Sequence, residues 1–263
     1  SVEINTGSVT NQKQSGRCWM FSALNTMRHS IQKEFKLKGF ELSQSYTFFW
    51  DKFEKSNFFF ENVIGSADKP LGDRKVSFLF ATPQSDGGQW DMLCGLIEKY
   101  GIVPKKVYPE TANSENSRAL NDTLNTMLRK GGLELRALVN EGKSAEEVEA
   151  HKAELLDAIF RMLATSLGLP PKSFNFEYTD DEGNYHIDKD ITPQDFFKKY
   201  VGWDLENYIS VINGPTADKP YNKVFSVEYL GNVVGGRQVR HLNLELSKFK
   251  ELIINQLKQG EVV

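Results

Sequence analysis

The chain has 263 residues, 40% hydrophobic and 25% charged, an ordinary balance for a folded globular chain with a sizeable core. Its formal net charge of −3 does not support dominant electrostatic binding to nucleic acid, and no apolar run approaches the ~18–20 residues of a membrane span. The two cysteines give no disulfide framework and the first residues lack the basic and apolar regions of a signal peptide, so a reducing cytoplasm is expected.

The first predicted helix begins at a cysteine. From Met20 the apolar residues recur at Leu24, Met27, Ile31 and Phe35, the spacing of one buried helical face. Cys18 therefore falls in the first turn, behind the polar, turn-prone approach Ser15-Gly16-Arg17. Unpaired backbone N–H groups and the positive dipole end favour an anion there, and the thiolate is the nucleophilic form of cysteine. Gln12, six residues upstream, can turn its amide toward the same spot and hold a developing oxyanion. This is the pattern of a cysteine acyl-transfer enzyme. Cys94 is the contrast: it lies mid-pattern in a second apolar helix and reads as inert core.

Ser43 caps a helix through Phe49, Trp50 and Phe53, followed by the aromatic cluster Phe58-Phe59-Phe60. Gly87-Gly88 opens the next helix, whose face Leu93, Leu96, Ile97 and Tyr100 ends at Gly101. Residues 101–109 should be extended, because positions before Pro104 and Pro109 avoid helix. From about Asn116 to Leu169 the chain is helix-rich, punctuated by Gly131-Gly132 and Gly142 and closed by Pro170-Pro171; its polar face either is solvated or meets a partner subunit. Two strands flank Asp181-Glu182-Gly183-Asn184 as a hairpin, and Thr192 with Pro193 starts a short helix. Strands are expected at Tyr208–Ile212, Val224–Leu230 and Val239–Leu244, a helix capped by Ser247 and ended by Gly260, and a further strand from Glu261. The chain thus divides into a helical part with the nucleophile (1–112), a helical insertion (113–171) and a β-rich part (172–263), an α+β fold.

Other chemistry has no pattern here. There is no CxxC pair, no HExxH or Cys/His zinc spacing and no phosphate-binding glycine loop, so no metal or cofactor is expected. Arg237 and Arg240 read as a solvated strand surface. Of the four histidines, His29 lies eleven residues past Cys18, ~16 Å up the same helix by its rise, while His151 and His186 read as surface positions. His241 lies in a late strand-like segment.

The segment from Gln12 to Trp19 resembles the active-site segment of papain-like cysteine peptidases, whose signature is C-G-[SA]-C-[WY]. Ser15 stands where secreted members carry a disulfide cysteine, and Arg17 where they carry Ser or Ala. Those departures, with Leu42-Ser43-Gln44-Ser45-Tyr46, Asp86-Gly87-Gly88-Gln89-Trp90 and Gly235-Gly236-Arg237, are similar to the bleomycin hydrolase and aminopeptidase C branch. The resemblance implies a papain-like fold, with the last part of the chain contributing to an antiparallel β subdomain, and removal of amino-terminal residues from peptides by a thiolate through an acyl-enzyme. It also implies a homohexamer whose active sites face an internal chamber. It assigns Cys18 as nucleophile and Gln12 as oxyanion donor. Gly87-Gly88 is either a plain turn or, by resemblance, the segment that pairs with extended substrate, with Gly88 admitting the peptide backbone and Gly87 freeing the turn. In this family the catalytic histidine precedes small residues, whereas bulky Leu242-Asn243-Leu244 follows His241, and no Asn-Ser-Trp-Gly-like segment occurs. The histidine and asparagine are therefore expected beyond Val263, with the β part truncated. The alternative is a catalytically inactive papain-like fragment that binds peptides or assembles with partners.

Overall fold

The structure is a computed structural model that describes residues 2–263. Helix α1 (Cys18–Phe35) runs through its centre, and Met20, Leu24, Met27 and Ile31 on its inner face are each at most 1% exposed. Helix α2 (Gln44–Gly65) crosses it, capped by Ser43, whose Oγ accepts the Tyr46 N–H at 3.0 Å. The helix does not stop before the Phe58–Phe60 cluster but continues through it. No Gly or Pro interrupts the run, and Phe59 and Phe60 are buried against the next helices.

Helix α3 (Arg74–Ala81), absent from the sequence reading, buries only Val76 and Leu79, too few for a periodic signal; its cap Asp73 accepts from Lys75 N and Val76 N. Helix α4 (Trp90–Tyr100) ends at Gly101, with φ of +70°, where an added Cβ would lie 2.2 Å from the Pro193 carbonyl carbon. The chain after it is extended only as far as Pro104, with Ser43 N donating to Val103 O and Lys105 N to Glu41 O, both at 2.9 Å. Residues 105–107 then turn, with Val107 N donating to Pro104 O at 3.0 Å, so the extended run expected to 109 is broken.

A short helix, α5 (Ala112–Glu115), leads into the long pair α6 (Arg118–Asn140) and α7 (Ala145–Leu167). Gly142, with φ of +75°, turns the chain between them, and Ser144 with Glu147 forms a capping box. Gly131 and Gly132 do not punctuate α6; they lie inside it. Added Cβ atoms would meet Leu155 and Phe59 at 2.9 Å, so these glycines let α6 approach α7 and α2 closely. Through Leu120, Leu124, Leu128, Ile159 and Leu163 the pair shares one hydrophobic cluster with α1 and α2.

Strands β1 (Phe174–Thr179) and β2 (Tyr185–Ile191) form the expected antiparallel hairpin, and α8 (Pro193–Tyr200) starts at the Thr192 cap. The second sheet, order β3-β5-β4, joins β3 (Ser210–Ile212), β4 (Lys223–Phe225) and β5 (His241–Asn243). It is mixed rather than antiparallel: β3 runs parallel to β5 because the long excursion through β4 brings the chain back in the same direction. Strand β4 is shorter than expected, and α9 (Leu246–Lys258) begins after Glu245 instead of Ser247. Arg237 is not on a solvated strand; it lies in the loop before β5, its side chain 7% exposed and paired with Glu206 at 2.7 Å. Residues 261–263 form no strand; the Gln256 amide donates to Val262 O at 2.7 Å and folds that segment back along α9. Among the described residues no helix is long and apolar enough to cross a membrane.

Candidate active site

The approach to Cys18 is a knotted turn. Lys13 has φ of +55°, and its N–H donates to Asn11 Oδ1 at 2.8 Å. Ser15 donates from Oγ to Gln12 O at 2.7 Å and accepts the Arg17 Nε–H at 2.8 Å. Gln14 is laced to the α5–α6 junction: its N–H donates to Glu115 O, its O accepts Ser117 N–H, and its side-chain oxygen accepts from Asn116 at 2.9 Å. The Gln12 side chain, half-buried, makes no hydrogen bond among the described residues. Of the two amides, that of Gln12 is free to meet a ligand.

Ser15 and Arg17 are not the solvated approach that their polarity suggests. Both are buried, and Arg17 is fully so, its guanidinium 5.1 and 5.2 Å from the ring centres of Phe21 and Phe48 and paired with Glu110 at 2.9 and 3.1 Å. A planar guanidinium can stack on aromatic faces while its edge meets a carboxylate, which a lysine could not do. Cys18, the next residue, is nonetheless exposed. The first intrahelical bond runs from Phe21 N to Arg17 O at 3.0 Å, so the N–H groups of Cys18, Trp19 and Met20 precede it at the positive helix end.

Asp86 ties this turn to the Gly87-Gly88 segment. Its Oδ2 accepts from Gly16 N at 2.9 Å and Ser117 Oγ at 2.6 Å; its Oδ1 accepts from Asn121 at 2.8 Å and lies 2.7 Å from Lys52 Nζ. Burial alone would raise its pKa, but Lys52 and these donors together hold the carboxyl well below the usual carboxylate range. Lys52 is wholly buried, and burial pushes its ammonium down to about 8 despite Asp86. One turn on, Lys55 pairs with Asp51 at 2.7 Å and donates to Ser85 O at 2.9 Å and Gly87 O at 2.7 Å.

Trp19 completes the link, its indole N–H donating to Asp86 O at 2.8 Å. An added Cβ on Gly88 would lie 2.5 Å from Trp19 Cζ2, whereas one on Gly87 would meet only Ser85 Oγ, at 3.9 Å. Gly88 thus packs directly against the indole of the residue beside Cys18. Trp19 and Asp86 tie the Cys18 turn to the Gly87-Gly88 segment, while Ser15 ties the same turn back to the Gln12 carbonyl.

Three of the four histidines have polar partners. His29 lies buried on α1 with Nε2 unpartnered among the described residues; His151 meets Glu134 at 3.0 Å; His186 meets Asp180 at 2.9 Å. His241 Nδ1 lies 2.8 Å from Ser210 Oγ across the β3–β5 pair. Cys94 is fully buried in α4, and burial pushes its thiol up to about 12. Among the described residues no group of three or more His, Cys, Asp or Glu could hold a metal ion.

An exposed cysteine opening a buried helix, with a free glutamine amide six residues before it, has a match across the whole chain. The model of the peptidase C1-like family covers residues 1–263. The chain belongs to that family. It is similar to aminopeptidase C of Lactobacillus delbrueckii subsp. lactis, 99% identical over all 263 residues, and to aminopeptidase C of Lactobacillus helveticus, 75% identical over the same span. In both cases the chain spans 59% of the relative's length. Among solved structures, PepW from Lactobacillus rhamnosis HN001 superposes with a TM-score of 0.98 at 64% identity, covering 99% of this chain and 58% of that one.

The elements around Cys18 in this peptidase C1-like chain include residues that sequence reasoning passed over: Trp19, Lys52, Lys55, Asp86 and Glu110. Asp86 stands directly before Gly87-Gly88, and a signal for the lysines was available. Asp51, Lys52 and Lys55 lie in a helix rich in aromatic residues, and charges on its buried face need buried partners.

Proposed function

We propose that this chain carries the nucleophile and oxyanion site of a cysteine aminopeptidase that removes amino-terminal residues from peptides. The observation that carries the reading is the exposure of Cys18 at the first position of helix α1, six residues after Gln12, whose side chain makes no hydrogen bond among the described residues. The aminopeptidase C relatives supply the reaction class.

In this reading the Cys18 thiolate attacks the scissile carbonyl carbon, forming the S–C bond and placing the negative charge on the former carbonyl oxygen. Gln12 and the first-turn N–H groups of α1 donate to that oxygen. Collapse re-forms the C=O bond and breaks the C–N bond, and the leaving amine takes a proton from a general acid. Water then attacks the thioester, releasing the acyl group and restoring the thiol. Gly87 is exposed, and an extended peptide can approach the backbone there. The space where a Gly88 side chain would stand is taken by Trp19 rather than left for substrate.

We read none of the four histidines as the base: His151, His186 and His241 lie against Glu134, Asp180 and Ser210, and His29 lies ~16 Å up α1. We therefore assign the base to polypeptide outside these 263 positions, as the greater length of the relatives allows. We also propose a cytoplasmic homohexamer, in keeping with two free cysteines and the family resemblance.

The test is an aminoacyl-coumarin assay on this chain alone and on the full-length Lactobacillus delbrueckii relative. Turnover by the full-length protein that Cys18→Ala abolishes, with none from the chain alone, is expected. Turnover by the chain alone that His241→Ala removes would instead make His241 the base. Light scattering of the full-length protein tests the hexamer.

A further inference from the structure

We propose that Asp86 is a positioning residue for the nucleophile, fixing through its carboxylate and its carbonyl the turn that presents Cys18 beside Gly87-Gly88. The proposal rests on the reading of Cys18 as a peptidase nucleophile. Asp86 grips the chain on both sides of that residue, at the Gly16 N–H two positions before it and at the Trp19 indole N–H one position after it. It is also bonded covalently to Gly87. Asp86 therefore supplies hydrogen bonds that join the thiol's turn to the segment that would receive substrate, beside the packing of Gly88 on Trp19.

The grip leaves little freedom. A Cβ on Gly16 would lie 2.9 Å from Asp86 Cβ, so the turn already sits as close as backbone without a side chain can. Asp86 is only 7% exposed, and water does not compete for its bonds. Its carboxylate accepts hydrogen bonds from Gly16, Ser117 and Asn121 at 2.6–2.9 Å and pairs with the Lys52 ammonium at 2.7 Å. An ionised carboxylate, which accepts hydrogen bonds and donates none, suits three donors and a neighbouring cation; a protonated one would present an O–H among them. Lys52 supplies the charge that keeps the group ionised in a buried place. Its ammonium lies 5.0 Å from the centre of the Phe48 ring, which also carries Arg17, so the two supports of the turn share one aromatic side chain.

The experiment uses the full-length Lactobacillus delbrueckii relative, with positions numbered as in this chain, and compares Asp86→Ala, Asp86→Asn and Asp86→Asn/Lys52→Met. Turnover per alkylation-titrated Cys18, KM, thermal midpoint and amide hydrogen exchange at Gly16 are measured on each. Asp86→Ala should lower kcat ~10²-fold, the scale of a misplacement near 1 Å, with KM changing much less, and should expose the Gly16 amide to exchange. The double variant keeps an acceptor for Gly16 and leaves no unpaired buried charge. It should return to within ~10-fold of wild type, the worth of about one ordinary hydrogen bond, above Asp86→Asn alone. Should Asp86→Ala fail to fold, the two Asn variants decide the matter.

Gly16 protection and kcat falling together and recovering together support the proposal. Protection lost with kcat unchanged, kcat lost with protection intact, or neither affected while only the thermal midpoint drops would each overturn it. If the wild-type relative shows no turnover at all, the peptidase reading has failed by itself. The iodoacetamide rate at Cys18 across the same variants then still shows whether Asp86 sets the nucleophile's presentation: a rate that changes with Gly16 protection supports it, and an unchanged rate overturns it.

Discussion

Two adjacent glycines, chemically identical, should respond oppositely to the same substitution. In Gly88→Ala the new methyl would arrive 2.5, 2.6 and 2.7 Å from Trp19 Cζ2, Cε2 and Cη2, distances that Cβ atoms do not tolerate. The indole cannot swing away freely, because its N–H is held by Asp86 O at 2.8 Å. Overpacking of this kind costs about 1–3 kcal/mol, and release of the indole hydrogen bond about 1 kcal/mol more, giving a loss of about 2–4 kcal/mol. Gly87→Ala meets nothing nearer than Ser85 Oγ at 3.9 Å and should stay within about 0.5 kcal/mol of wild type. Urea unfolding followed by far-ultraviolet circular dichroism separates the two through the midpoint at constant slope. Trp19→Leu removes the ring edge that the methyl strikes, so in that background the cost of Gly88→Ala should fall below about 1 kcal/mol. Equal stability of the two alanine variants, or an undiminished Gly88→Ala cost in the Trp19→Leu background, would refute the packing argument.

Brief iodoacetamide treatment followed by peptide mapping should label exposed Cys18 and spare Cys94, whose thiol is buried and shifted up to about 12; equal labelling would contradict both placements. In the full-length relative, Gln12→Ala should lower turnover ~10²–10³-fold, the usual loss of one oxyanion donor. Gln14→Ala should be mild there, because that side chain already serves Asn116; the reverse ranking would place the loop wrongly. For acid stability the sign follows from Asp86, whose folded pKa lies below its unfolded one, so the native state binds fewer protons. Its contribution is complete above the ordinary carboxylate value of ~3.9 and is lost as pH falls through the folded value. Wild type should therefore lose stability more steeply than Asp86→Asn between about pH 5 and about pH 3 in urea titrations, and parallel slopes would show that Asp86 is not held ionised.

The helices were legible because their faces are periodic or their ends are marked. Met20, Leu24, Met27 and Ile31 announce α1, and Gly101, Ser43 and Thr192 announce boundaries that the structure keeps. The errors have the opposite cause. Gly131-Gly132 reads as a break only when the partner surface is unknown; beside Phe59, Phe60 and Leu155 it is a contact. The direction of β3 relative to β5 is decided by how a 28-residue excursion, 213–240, returns, and no local pattern records that. Cys18 and Gln12 could be read together as a candidate pair because both lie in one local turn. Glu110 and Asp86 could not, since they reach that turn from 93 and 70 residues away.

The distant residues also explain why a turn of short polar residues holds one shape. Two ion pairs lie beneath it, Arg17 with Glu110 and Lys52 with Asp86, with both cations fully buried. Well-packed apolar residues of similar volume often give equal or greater stability than such pairs, while removal of one partner leaves a buried charge and typically costs about 3–5 kcal/mol. Stability alone therefore does not account for them. What an apolar substitute lacks is direction: it cannot accept the Gly16 N–H or anchor the guanidinium that donates to Ser15. In this chain the buried charges set the geometry of the Cys18 turn, and the surrounding aromatic side chains, Phe21, Phe48 and Trp19, keep water from loosening it.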